Sequence, residues 1–167
     1  VRDEVVAAMR PYYEDRWANA SSLYSAGREA RKGIEEAREQ VAASVGARPE
    51  EVVFTGGGTE ADNLAVFGVH RARGGVVVCS AIEHHAVLDP VESLGGLVAP
   101  VDEHGHVAPD ALAAILDEAS DGPGACLVSI MLANNEIGTI QPIEEIVRRV
   151  RARSGIMLHV DAVQAAP

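Results

Sequence analysis

Apolar positions fall into two kinds of run along this chain. Ala30, Ile34, Ala37, Val41 and Val45 recur every three or four residues, the spacing that gathers side chains on one face of a helix, and Gly46 closes the run as a C-terminal glycine does. Short, continuously apolar runs follow and predict strands over 52–54, 76–80, 97–101, 125–131 and 156–160. Between them, helical spacing predicts a helix that begins after Gly58 and ends by Gly74, and helices over 85–94 despite Pro90, over 109–119 with a proline at a suitable first position, and over 142–153. The opening stretch, with its Tyr and Ser residues, reads as irregular. Apolar strands alternating with helices imply an α/β domain, a mainly parallel sheet with helices on both faces. Ligands of such sheets collect beyond the carboxyl ends of the strands, so chemistry is to be sought just after each strand.

At 167 residues the chain fits one domain, and a domain near this size buries roughly 68–70% of its unfolded surface. Fourteen basic against twenty-five acidic residues leave a net charge of -11. The basic residues form no dominant patch, which argues against nucleic acid or an anionic membrane as a general partner. A phosphorylated ligand is still allowed, because backbone N–H groups do not enter the charge count. No segment is apolar enough to span a bilayer. Cys79 and Cys126 each sit in a strand-like run, as buried reduced thiols of a cytoplasmic protein do.

Four strand-end stretches carry candidate chemistry: "TGGGTEADN", "SAIEHHAVL", "LANNEIGT" and "DAVQ". In Gly56, Gly57, Gly58 and Thr59 the missing side chains let an anion approach amides at a helix N-terminus, where the macrodipole also favours negative charge. The motif is neither a P-loop nor a spaced dinucleotide turn. A tight turn with Thr59 as N-cap and Asp62 as the acid of a capping box is the purely structural alternative. In Glu83, His84 and His85 the two imidazoles point in different directions, a poor geometry for one metal ion, and no metal site is expected. A histidine beyond a strand end can stack on a flat ligand or exchange a proton. Asn134 or Asn135 can bond a phenolic or carboxylate oxygen, although Asn-Asn is also ordinary turn chemistry. Asp161 lies immediately past a buried strand, where a carboxylate needs a cation or donors; a protonated pyridine nitrogen would serve, and such an aspartate keeps a pyridoxal ring effective as an electron sink.

In order and spacing, "TGGGTEADN", "SAIEHHAVLDP", "LANNEIGTIQPI" and "HVDAVQA" resemble the motifs of cysteine desulfurases of the NifS/IscS kind, pyridoxal-phosphate enzymes of fold type I in the class V aminotransferase superfamily. The likeness extends to "VRDEVVAAMRPYY" and "GREARKGIEEAREQVA". It implies that Gly58 and Thr59 bind the phosphate of pyridoxal 5'-phosphate and that His84 stacks over the ring and assists proton transfer. It implies further that Asn135 contacts a cofactor oxygen or the substrate carboxylate, Asp161 the ring nitrogen and Gln164 the ring hydroxyl. The implied reaction converts L-cysteine to L-alanine and passes sulfur, through an enzyme persulfide, to an acceptor or scaffold protein for iron–sulfur clusters or thio-cofactors. The implied assembly is a homodimer.

Departures from the family pattern are also legible. The lysine that holds the cofactor as a Schiff base and the sulfur-accepting cysteine are both expected beyond Pro167; Lys32 lies in the first amphipathic helix, and Cys79 and Cys126 lie in strands. In "NASSLYSAG", Ala20 and Tyr24 stand where the family usually has proline and histidine. The expectation is therefore an incomplete large domain over 1–167, lacking its first strand, its lysine region and a small domain, and inactive alone. Another class V aminotransferase or lyase, and a non-catalytic binding or assembly module, are the alternatives.

Overall fold

In the computed structural model, which describes residues 1–165, the chain runs through α1 Asp3–Glu14, α2 Ser25–Val45, a short 3-10 turn Pro49–Glu51, α3 Gly58–Arg73, β1 Val76–Ser80, α4 His85–Ser93, β2 Leu97–Ala99, α5 Pro109–Ala119, β3 Ala125–Ser129, α6 Ile143–Arg151 and β4 Met157–His159. Contacts divide it into two units, Val1–Phe54 and Thr55–Pro167.

The second unit holds the sheet. Its strand order is β2-β1-β3-β4 and every neighbouring pair is parallel. Adjacent residues of a strand face opposite ways, and each side finds its own helices. Val78 and Val128 pack with Leu112 and Leu116 of α5 and Ile146 and Val150 of α6. Val77, Cys79 and Leu127 pack with Val66 of α3 and Val87 and Val91 of α4. The sheet is thus covered on both faces, as the apolar runs predict. Alternation slips at the start of the β1–β3 pairing, where the register shifts between Val76 and Val77, and Cys126 and Leu127 both join the α3–α4 side.

The helix ends follow electrostatics and sterics. α6 carries Glu144 and Glu145 in its first turn and Arg148, Arg149 and Arg151 in its last, matching the macrodipole at both ends. Arg153 beyond it bonds Asp117 at 2.6 Å and the carbonyl of Ala113 at 3.1 Å, which ties the end of α6 to α5.

Two expectations fail in the first unit. The opening is helical: α1 begins with Asp3 and Glu4 in its first turn and tolerates Pro11, yet buries no residue. Without a buried stripe, periodicity had nothing to report. The segment 52–54 is not a strand. Val53 and Phe54 are 67% and 48% exposed, the carbonyl of Val52 accepts from the Arg38 guanidinium, and no ladder partner is present among the described residues. β-branched residues favour a strand only where a neighbouring strand completes the hydrogen bonds. α2 buries only Gly27, Ala30 and Ala42 and ends at Gly46, whose φ of 68° is the left-handed cap that favours glycine.

Candidate active site

β1 leads through α4 to β2 on one side, and β2 leads through α5 back to β3 on the other side of β1. The order therefore reverses between β1 and β3, where open sheets leave a crevice beyond their carboxyl ends. A cavity of about 260 Å³ opens there. Gly58 and Thr59 of α3, His84 after β1, Asn135 after β3, and Asp161 and Gln164 after β4 all line it. Residues from four separate stretches, Gly58 to Gln164 at the extremes, share one small space. A wider groove of about 1020 Å³ in the first unit, with Tyr12, Trp17 and Phe54 in its wall, contains none of these residues.

The glycine mouth is built differently from a capping box. Gly57 is the N-cap of α3 in extended backbone, and Thr59 stands inside the first turn. The Thr55 hydroxyl donates to the Gly57 carbonyl at 3.0 Å, and Glu60, not Asp62, reaches back to accept from the Gly56 N–H at 2.6 Å. A Cβ at Gly58 would stand 3.2 Å from Cγ2 of Val163, another lining residue. Bareness at that position keeps the cavity open. Asn63 donates to Thr59 O at 2.9 Å and to Ala86 O at 3.0 Å, fastening the start of α3 to the start of α4.

His84 is the N-cap of α4, and its Nδ1 accepts from the Ala86 N–H at 3.0 Å. In the neutral ring the proton then sits on Nε2, the nitrogen left free for a ligand. His85 turns away: its ring stands 6.5 Å from His84 at 72°, and its Nδ1 meets Asp89 in solvent at 3.0 Å. The two imidazoles diverge as the sequence suggests. Asn134 and Asn135 also separate. The Asn134 amide donates to Ile82 O at 2.9 Å and accepts from the N–H groups of Glu136 and Ile137, so it shapes the turn and leaves Asn135 to the cavity. Farther along the same motif, Gln141 accepts from Val107 N at 2.9 Å and donates to Gly105 O at 2.6 Å, latching a neighbouring loop. Much of "LANNEIGTIQPI" is scaffold.

Three groups at the site carry more than the sequence reading gave them. Asp62 is 5% exposed and lines the cavity; burial foremost, and then the charge of Asp161, push its carboxyl up to about 6, with His84 opposing. Its Oδ1 lies 3.6 Å from Nε2 of His159, a ring that burial holds below the ordinary histidine range. Glu83 is buried against the ends of β1 and β3 and accepts from the Ser80 hydroxyl and from the Met131 N–H. A polar "HVD" pattern, with His159 ending β4 and Asp161 two residues on, was the available cue for the histidine. The apolar character of that run concealed it. Among the described lining residues there is no lysine, arginine or cysteine. Lys32 pairs with Glu36 on an exposed face of α2, and burial pushes the Cys79 thiol up to about 12, removing it as a nucleophile.

The model of the family Aminotransferase class-V matches residues 1–167. The chain belongs to the class V aminotransferase family. Among curated proteins, cysteine desulfurase IscS of Dictyoglomus turgidum is 44% identical over 98% of this chain and 42% of its own length. Among solved structures, a NifS-like protein superposes with a TM-score of 0.90 at 36% identity, covering 99% of this chain and 46% of that one. SspA in complex with cysteine gives 0.88 at 34%, covering 99% and 48%. The chain thus spans less than half the length of these relatives. Class V aminotransferases are pyridoxal-phosphate enzymes, and this class V chain fits that group on its own terms. The cavity, about 260 Å³, falls just below the roughly 300–1,000 Å³ usual for small ligands. Bare amides at a helix start suit an anion, and two carboxyls lining one cavity with no lysine or arginine among its described lining residues call for a cationic group on the ligand.

No helix among the described residues is long and apolar enough to cross a membrane.

Proposed function

We propose that this chain forms the cofactor cradle of a cysteine desulfurase. In this reading the first turn of α3, with Gly58 and Thr59, takes the phosphate of pyridoxal 5'-phosphate; Asp161 holds a proton on the ring nitrogen, Gln164 bonds the ring hydroxyl, and Asn135 a cofactor oxygen or the substrate carboxylate. His84 lies over the ring, with Nε2 as the nitrogen that moves a proton. The observation that carries the reading is the meeting of an anion-binding helix mouth and an acidic pole in one cavity of about 260 Å³. One molecule with a phosphate and a protonated aromatic nitrogen satisfies both ends.

When bound, the cofactor supplies an electron sink conjugated to the α-carbon of the amino acid. The chain's own residues orient and shield it. The Ala86 N–H fixes the His84 ring, and the Asp161 carboxylate, braced by the Val163 N–H at 3.0 Å, opposes loss of the ring proton. L-cysteine is the substrate we assign, with L-alanine and an enzyme persulfide as products and a sulfur-acceptor or scaffold protein in iron–sulfur cluster or thio-cofactor synthesis as partner. The relatives named above support this assignment. Homodimeric assembly and a cytoplasmic setting, where Cys79 and Cys126 stay reduced, complete it. The chain corresponds to a partial large domain.

With no lysine in the described lining, binding rather than turnover is the property to measure on this chain. Equilibrium dialysis should show pyridoxal 5'-phosphate held more tightly than pyridoxal, and Thr59→Ala should lower affinity for the phosphorylated ring by on the order of tenfold, as loss of a charge-assisted donor does. Equal affinity for the two rings would remove the phosphate from the cradle and the reading with it.

A further inference from the structure

Asp62 has no part in the roles assigned above, yet it is buried, lines the cavity beside Asp161 and faces His159. A second carboxyl in a cavity that already holds one raises the cost of ionising Asp62, whose side chain is buried while that of Asp161 is half-buried. Other groups near it do not cancel that cost. The groups facing Asp62 are His159 and Asp161 from β4 and its end, and Glu83 and His84 from the turn after β1. A single acid would suffice for one ring nitrogen. Two are consistent with a site in which both act on the same positive charge.

We propose that Asp62 is a positioning residue for Asp161, a second carboxyl steadied by His159 that makes this end of the cavity select a ring whose nitrogen bears a proton. The proposal rests on the cofactor-cradle reading. The Ser129 hydroxyl lies 2.8 Å from Nδ1 of His159; when it donates there, Nε2 carries the N–H that faces Asp62. Burial disfavours protonated His159, so the ring stands 3.6 Å from Asp62 without cancelling its charge. A protonated nitrogen held by Asp161 then feels both acids. A carbon in that place leaves both carboxyls on the cavity wall without a cation. The carboxyl of Asp62, raised to about 6 by burial and the charge of Asp161, is mostly ionised at neutral pH and loses its influence as the solution is acidified through that value.

Dialysis of the full chain against pyridoxal 5'-phosphate and against its deaza analogue, in which a C–H replaces the ring nitrogen, separates this role from a structural one. At about pH 7.5, Asp62→Asn should weaken binding of the natural cofactor on the order of tenfold and leave the analogue unchanged or better bound, and near pH 5 the two proteins should converge. Equal loss with both rings, or no change with either, overturns the proposal. Should wild type bind neither ring, the cradle reading fails separately, and carboxyl carbon NMR of the chain still decides the coupling. A lower Asp62 midpoint in Asp161→Asn supports it, and an unmoved midpoint overturns it.

Discussion

Glu83 has one oxygen satisfied and one not. Oε1 accepts from Ser80 and from the Met131 N–H, while Oε2 is buried without a partner. Burial dominates, with the charges of Asp161 and Asp62 adding to it, and the carboxyl is pushed up to about 7 from an ordinary 4.5. Between those values the folded chain holds a proton that the unfolded chain has released, so stability falls as pH rises through that window. The cost is absent below it and complete above it, on the order of 3 kcal/mol. Glu83→Gln keeps the accepting oxygen and cannot ionise. Urea denaturation at about pH 5 and about pH 8 should give a smaller loss of stability for the variant than for wild type, by that order; parallel losses would show that Glu83 does not ionise in this environment. At this scale the sequence shows residue type and place in the chain. Asp161 and the pairs His84–His85 and Asn134–Asn135 could be singled out because each follows an apolar run, and the resemblance to cysteine desulfurases chose His84 and Asn135 within the pairs. The burial of Glu83 could not, since it depends on β1 and β3 lying side by side.

Between α4 and β2 the chain reverses within Leu94, Gly95 and Gly96, and the last of these is packed against the sheet. Gly96 N donates to Val91 O at 2.9 Å; a Cβ on it would fall 2.5 Å from Val77 O and 2.6 Å from Cγ1 of Val91. The carbonyl belongs to β1 and cannot retreat without disturbing the central strand, so Gly96→Ala should cost about 1–3 kcal/mol, the range for overpacking. Gly122→Ala is the matched control, because its Cβ would meet nothing nearer than 3.8 Å. Thermal denaturation should show a lower midpoint for the first and an unchanged one for the second; similar midpoints would place Gly96 outside the packed region. In the second unit elements were legible where burial imposed a period, and α2 was legible from its apolar spacing although Ile34, Val41 and Val45 are exposed. Predicted and observed bounds coincide for β1 and α5, and lie within two residues for β3, α4 and α6. α1 and the segment 52–54 escaped for one shared cause. Neither is buried, and an exposed segment carries no record in its apolar spacing of what it packs against.

Strand order belongs to the whole molecule and was not legible, because each strand's composition records that it is buried and not which neighbour buries it. The carboxyl-end rule bypassed that gap: wherever the order reversed, residues following the strands would gather, and they gather between β1 and β3. Those strands are also where stability should concentrate. Both are flanked by strands on each side and by helices on each face, whereas α1 buries nothing and α2 only two alanines and a glycine. Local opening free energies follow such differences. Hydrogen exchange of the full chain should therefore show amides of β1 and β3 exchanging slowest, and those of α1 and α2 faster by orders of magnitude. Saturating pyridoxal 5'-phosphate should add protection around residues 56–63, 83–86, 132–135 and 161–164, the segments that meet at the cavity, and leave α1 and α2 unchanged. Protection spread evenly over both units on adding the ligand would mean that binding reports on global stability and not on the cradle. Uniform exchange without ligand would mean that the two-faced sheet is not the stable centre of this chain.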